Sequence, residues 1–168
     1  NPDEAMQLAG PFYGDPGMAK RRLDAAIAEL KKNPHVDTSK IAAIGYCFGG
    51  SMVLNAAKLG SDLDGVVSFH GGLAGPTPDK NLLKAQILVC HGAADNFVSD
   101  EDSLNFRRGL DSIAAVYNFK SYPNAKHAFT NPDADENAKK FNLDIAYNEE
   151  ADKTSWEDMK QFLRRIFE

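Results

Sequence analysis

Three side chains in this sequence carry the chemistry of a nucleophile, an acid and a base, in that order along the chain: Cys47, Asp95 and His127. A thiol becomes a strong nucleophile when a base takes its proton, and a carboxylate behind the base holds it in one tautomer. Around Cys47 the sequence reads Gly45-Tyr-Cys-Phe-Gly-Gly50. This is a Gly-x-Cys-x-Gly turn of the nucleophile-elbow type, with cysteine where serine is commoner. The glycines let a strand and a helix close on the turn, and the nucleophile's own backbone is strained there. The turn leaves Cys47 at a helix N-terminus, where backbone N–H groups and the helix dipole favour the thiolate.

Each residue also has an ordinary reading. A cysteine after a buried strand is often a small core hydrophobe. Glycine-rich strand–helix turns also cradle phosphates. Asp95 suits a turn before a helix, and His127 suits a solvated loop. Placement in the fold decides among these readings.

The elements that must position the three side chains can be read in order. Asn1 to Gly14 reads as a loop or lead-in. Asp15-Pro16 then opens a helix carrying Ala19, Leu23, Ala26, Ile27 and Leu30 on one stripe, closed by Asn33-Pro34. Ile41 to Ile44 is an apolar run of strand length, and Ser51 to Leu59 is helical up to Gly60. Gly65 to Phe69 reads as a second buried strand and Ile87 to Cys90 as a third. A helix begins at Asp100, with Leu104, Leu110 and Ile113 on its apolar side. Val116 to Tyr122 alternates as a fourth strand nearer an edge. His127 falls in the loop from Pro123 to Asp135, residues 136–152 carry no clear pattern, and Trp156, Met159, Leu163 and Ile166 mark a closing amphipathic helix flanked by Phe162 and Phe167.

Strands alternating with helices predict an α/β fold with a mostly parallel sheet flanked by helices. Chemistry in such sheets gathers beyond the carboxyl ends of the strands. Cys47, His70, Asp95 and the His127 loop all lie just past strand ends, so they are expected to converge. The order nucleophile, acid, histidine is also that of the α/β-hydrolases.

The 168 residues suit a single domain spanning 1–168. A net charge of −5 without a basic stripe argues against nucleic acid as a partner. No apolar run has the length of a membrane helix, and no signal peptide opens the chain. Two cysteines that each end a strand-like run fit reduced thiols in the cytoplasm better than a disulfide framework, with an export signal upstream of Asn1 left open. His91 precedes Gly92 and reads as a packed or hydrogen-bonded histidine. The His and Cys spacings match no zinc pattern, so neither metal nor cofactor is expected.

The sequence resembles the dienelactone hydrolase family of α/β-hydrolases. The resemblance rests on Ile44-Gly-Tyr-Cys-Phe-Gly-Gly50, Ser68-Phe-His-Gly-Gly72, His91-Gly-Ala-Ala-Asp95 and Tyr122-Pro-Asn-Ala-Lys-His-Ala-Phe129, and it extends through the segment from Ala146 to Phe167. It implies Cys47 as nucleophile, His127 as base, Asp95 as orienting acid, the N–H of Phe48 as an oxyanion donor, and a small-molecule ester or lactone as substrate. Tyr46, His70 and Phe129 are expected to line the substrate pocket.

Two departures from the family pattern stand out. The chain opens on what reads as a loop and a helix, where the family places several strands and a loop supplying a second oxyanion donor. Ile41-Ala-Ala-Ile44 is also too apolar for an open sheet edge. The expectation is a C-terminal portion of the family fold, or a strand edge covered by another chain through self-association. The second departure is Thr130-Asn-Pro132 after Phe129, where family members that grip a substrate carboxylate carry an arginine. The alternative to a hydrolase is a catalytically impaired module of the same fold.

Overall fold

Short apolar runs bounded by turns pair as four strands in one parallel sheet. They are β1 (Ala42–Tyr46), β2 (Gly65–Phe69), β3 (Gln86–Gly92) and β4 (Tyr117–Tyr122), adjacent in that order. The computed structural model describes residues 1–168. The register places Ile44 beside Val67, Val67 beside Leu88, and Leu88 beside Asn118.

Alternation along the strands feeds two cores. Val66, Ile87 and Val89 point to one face, where Leu54, Ala57, Phe106 and Leu110 cover them. Val67, Phe69, Leu88 and Cys90 point to the other, against Tyr122, Phe129, Met159 and Phe162. The first face carries α2 (Pro16–Leu30), α3 (Phe48–Lys58) and α4 (Asp100–Ser112). The second carries α6 (Glu149–Phe167). β2 is buried along its whole length, as a central parallel strand should be.

The structure corrects several of the expectations. Residues 2–14 form a helix, α1 (Pro2–Gly14), and not a lead-in loop. Asn1 caps it: its side chain accepts from Glu4 N–H, and the Glu4 carboxylate reaches back to the Asn1 amino group. None of its residues is buried, so there was no apolar period to read. The stripe of α2 is narrower than expected: Ala19 and Ile27 are buried, but Ala26 and Leu30 are exposed. On α4 Phe106 faces the core and Leu104 does not. On α6 the buried line is Ala151, Ser155, Met159 and Phe162, while Trp156 is 46% exposed. A further helix, α5 (Ala134–Phe141), runs from the end of the stretch read as the His127 loop into the patternless segment and is closed by Asn142 in the left-handed conformation.

β1 lies at one edge of the sheet. Ile41 is buried just before it, yet Ile44 and Tyr46 are both 42% exposed. No helix is long and apolar enough to cross a membrane.

Candidate active site

The sheet ladder runs on past the strand ends and delivers three segments to one place. Cys47 N–H donates to Phe69 O (3.0 Å), His70 N–H to Cys90 O (2.8 Å), and Ala93 N–H to Tyr122 O (2.9 Å). Cys47 then sits between β1 and α3 with φ 50° and ψ −119°. That positive φ is a strained conformation for a side-chain-bearing residue, costing on the order of 1–3 kcal/mol. Gly45 makes the turn possible, because a Cβ there would overlap the Gly49 backbone.

Asp95 follows β3 in a tight turn. Its Oδ1 accepts from Phe97 N–H at 2.9 Å. Asp95 thus holds its turn with Oδ1 and leaves Oδ2 free for a second partner. The loop carrying His127 is pinned from two sides. Ala94 N–H donates to Ala125 O (2.9 Å), Ala146 N–H to His127 O (3.3 Å), and Asn148 N–H to Phe129 O (3.0 Å). Gly92 permits the close approach, since a Cβ there would run into the Ala125 carbonyl.

The three side chains form one hydrogen-bonded line. His127 Nδ1–H donates to Asp95 Oδ2 at 2.9 Å, and His127 Nε2 stands 3.0 Å from Cys47 Sγ. The Asp95 side chain is sealed from water, His127 is mostly covered, and Cys47 is exposed. Hydrogen bonding to His127 draws the Cys47 thiol below its ordinary value. Partial burial opposes this, and the His127 charge and the Phe48 N–H reinforce it. Burial also disfavours the His127 imidazolium, but the Asp95 carboxylate and the Cys47 sulfur outweigh it and raise His127 to about 9. The arrangement favours the charged form of each partner, and the sulfur is open to a ligand.

The expected pocket residues fare differently. Tyr46 is exposed and stacked on Phe69 at 4.6 Å. His70 is buried (3% exposed), with Nε2 2.8 Å from Thr130 Oγ1 and its ring 5.3 Å from that of His127. Burial, helped by the His127 charge, pushes His70 down to about 4, so it is neutral beside the imidazolium. Phe129 is a correction: it is wholly buried behind His70 in the second core and presents no surface to a substrate. His91 packs against Phe119 at 5.5 Å, away from the hydrogen-bonded line. Cys90 is a free buried thiol pushed up to about 12 by burial.

Sequence reasoning missed the aromatic rim. Phe97, 55% exposed, lies 4.9 Å from the His127 ring. Phe12 and Tyr13 of α1 pack edge-on against Phe48 at 5.7 and 5.6 Å. Only the Asp-x-Phe spacing of the turn hinted at Phe97. Nothing in the sequence tied α1 to the elbow.

A parallel sheet whose first strand ends in a strained strand–helix turn, with acid and histidine loops following later strands, has the α/β-hydrolase architecture. More narrowly, the chain belongs to the dienelactone hydrolase family, whose profile matches residues 2–167. It is 35% identical over 154 residues to an uncharacterized protein of Caenorhabditis elegans, covering 90% of this chain and 96% of that one. It is 31% identical over 134 residues to a Saccharolobus solfataricus protein provisionally named carboxymethylenebutenolidase, covering 76% of this chain and 45% of the relative. Among solved structures, a dienelactone hydrolase-like promiscuous phosphotriesterase from metagenomic libraries superposes with a TM-score of 0.85 at 34% identity. That match covers 94% of this chain and 65% of the other. The chain thus spans nearly the whole of the nematode protein and about half of the archaeal one.

Proposed function

We propose that this chain carries the catalytic residues of a hydrolase that cleaves an ester or lactone through a thioester acyl-enzyme. The single observation that carries the reading is the continuous line from Cys47 Sγ through both His127 nitrogens to Asp95, at 3.0 and 2.9 Å.

In the first half-reaction the Cys47 thiolate adds to the substrate carbonyl, and the carbonyl oxygen takes the negative charge. The N–H of Phe48, at the first position of α3, is one donor to that oxyanion. As the intermediate collapses, the carbonyl–oxygen bond breaks and His127 Nε2–H passes its proton to the departing alkoxide. This leaves a thioester on Cys47 and a neutral imidazole. In the second half, His127 takes a proton from water while the hydroxide adds to the thioester. The carbon–sulfur bond breaks, the acid leaves, and the thiolate–imidazolium pair is restored. Asp95 holds Nδ1 protonated throughout and keeps its own charge.

The rim favours neutral substrates. Phe97, Tyr46 and Tyr13 are exposed aromatic side chains around this line, and the position after Phe129 holds Thr130 in place of a guanidinium. An uncharged aryl or alkyl ester suits that surface better than a carboxylate-bearing lactone.

The test is turnover of p-nitrophenyl acetate by the chain and by Cys47→Ala, with a neutral lactone and a phosphotriester beside it. The reading expects hydrolysis that Cys47→Ala loses by about a thousandfold or more, the scale of a lost nucleophile. Equal rates in the two proteins refute it, as does a chain inert to every acyl substrate in the panel.

A further inference from the structure

At the far end of α3 from the elbow lies a second polar feature. Lys58 is the last residue of that helix, about 16 Å from its start at 1.5 Å per residue. It is 3% exposed and joins none of the molecule's ion pairs. Its neighbour is an aromatic face: Nζ stands 4.8 Å from the centroid of the Phe106 ring. A buried ammonium without a counter-ion is costly, and proteins ordinarily pair it.

Lys58 and Phe106 line an open-mouthed cavity of about 280 Å³ between α3, α4 and the loop that follows β2, with Leu73, Thr77, Asp102 and Asn105 also in its wall. A turn earlier on α3, Asn55 Oδ1 is buried without a donor, against Gly75 of the same loop. The junction of helix and loop therefore contains a buried acceptor without a donor and an ammonium that faces an aromatic ring in place of a carboxylate. Asp102, the acid in the wall, is engaged elsewhere: its Oδ2 accepts from Ser99 Oγ at 2.7 Å.

We propose that this cavity is a binding site for a small anion bearing a carboxylate or phosphate group. The Lys58 ammonium supplies the counter-charge, the Asn105 amide and Thr77 hydroxyl supply neutral donors, and Leu73 and Phe106 receive an apolar body. Asp102 repels the anionic end and so directs it toward Lys58. Burial lowers Lys58 to about 8, so the side chain is still largely charged at neutral pH. The site is separate from Cys47 and does not depend on the chemistry assigned there.

The experiment is a titration of ¹⁵N-labelled protein with benzoate, with inorganic phosphate and with uncharged benzamide, following the amides of Gly75 and Gly109, which both line the cavity. The expected result is saturable movement of those amides by one of the anions and none by benzamide, in the native chain and in Cys47→Ala alike. Benzoate alone marks a carboxylate site, and phosphate alone a phosphate site. Lys58→Met keeps the wall filled and is expected to weaken the anion about tenfold or more, the value of a charge-assisted contact. The proposal is overturned if neither anion moves the two glycines, if benzamide moves them as benzoate does, or if folded Lys58→Met binds the anion as tightly as the native chain.

Discussion

The chemistry assigned to Cys47 depends on two opposed proton affinities at adjacent atoms. The thiol is drawn down chiefly by its hydrogen bond to His127, and His127 is raised to about 9 against its own burial. The sign of the pH dependence follows. As pH falls through the lowered Cys47 value the thiolate is lost, and as pH rises through about 9 the imidazolium is lost. For kcat/KM on p-nitrophenyl acetate a bell is expected, with its alkaline limb near 9. Asp95→Asn removes the principal group raising His127, so its alkaline limb is expected to move toward 6.5, the ordinary histidine value, with a rate loss of about a hundredfold or more. An unmoved limb in that variant would detach Asp95 from the histidine. The same pair contributes to folding: a histidine raised from 6.5 to about 9 stabilises the fold fully below 6.5, and this contribution is lost as pH rises through about 9.

Between elements, close approaches decide whether the residues meet. Gly92 lets the His127 loop lie against the end of β3, and a methyl group there meets the Ala125 carbonyl. Gly92→Ala is expected to cost roughly 1–3 kcal/mol in urea unfolding, the range for overpacking. It should also lower kcat more than it raises KM, because the base is displaced and the pocket is not. Native kcat in this variant would show that the loop has slack. On the other face of the sheet, α6 is held by Phe162 and not by Trp156. Phe162→Ala is expected to cost about 3–5 kcal/mol, and Trp156→Ala well under half of that, by chemical denaturation. Reversed costs would mean that the helix is rotated.

These cases also show how far the sequence could be read. Three strands were legible because apolar runs of strand length ended at or just before glycine, and the fourth because it alternates; Cys47, Asp95 and His127 were legible because each follows one of these strands. Helix faces were less so. Trp156 and Leu104 fit their apolar stripes by type, yet which of two neighbouring stripes is buried depends on the sheet beneath. Phe129 follows His127 by only two residues, but Ala128 between them has a positive φ of 59° and Phe129 ends up in the second core. The helix α1 has no buried residue to set a period, so only its capping box marked it. Phe97 and the Lys58 cavity are products of tertiary contact and have no local signature.

At the scale of the whole molecule, four parallel strands set the geometry on which everything else depends. The central pair, β2 and β3, is covered on both faces, and the residues of the site follow the carboxyl ends of β1, β3 and β4. The β1 edge carries exposed Ile44 and Tyr46 beside the elbow. This chain covers 65% of the phosphotriesterase it resembles and nearly all of the nematode protein.

The most direct measurement is to locate the acyl group. The chain is mixed with p-nitrophenyl acetate, quenched in acid within the first turnovers, and digested for peptide mass analysis. The account predicts one acetyl group, on Cys47, that disappears as turnover completes. Burst release of p-nitrophenol with the acetyl group on any other residue, or steady turnover that leaves Cys47 unmodified at every quench time, would contradict it.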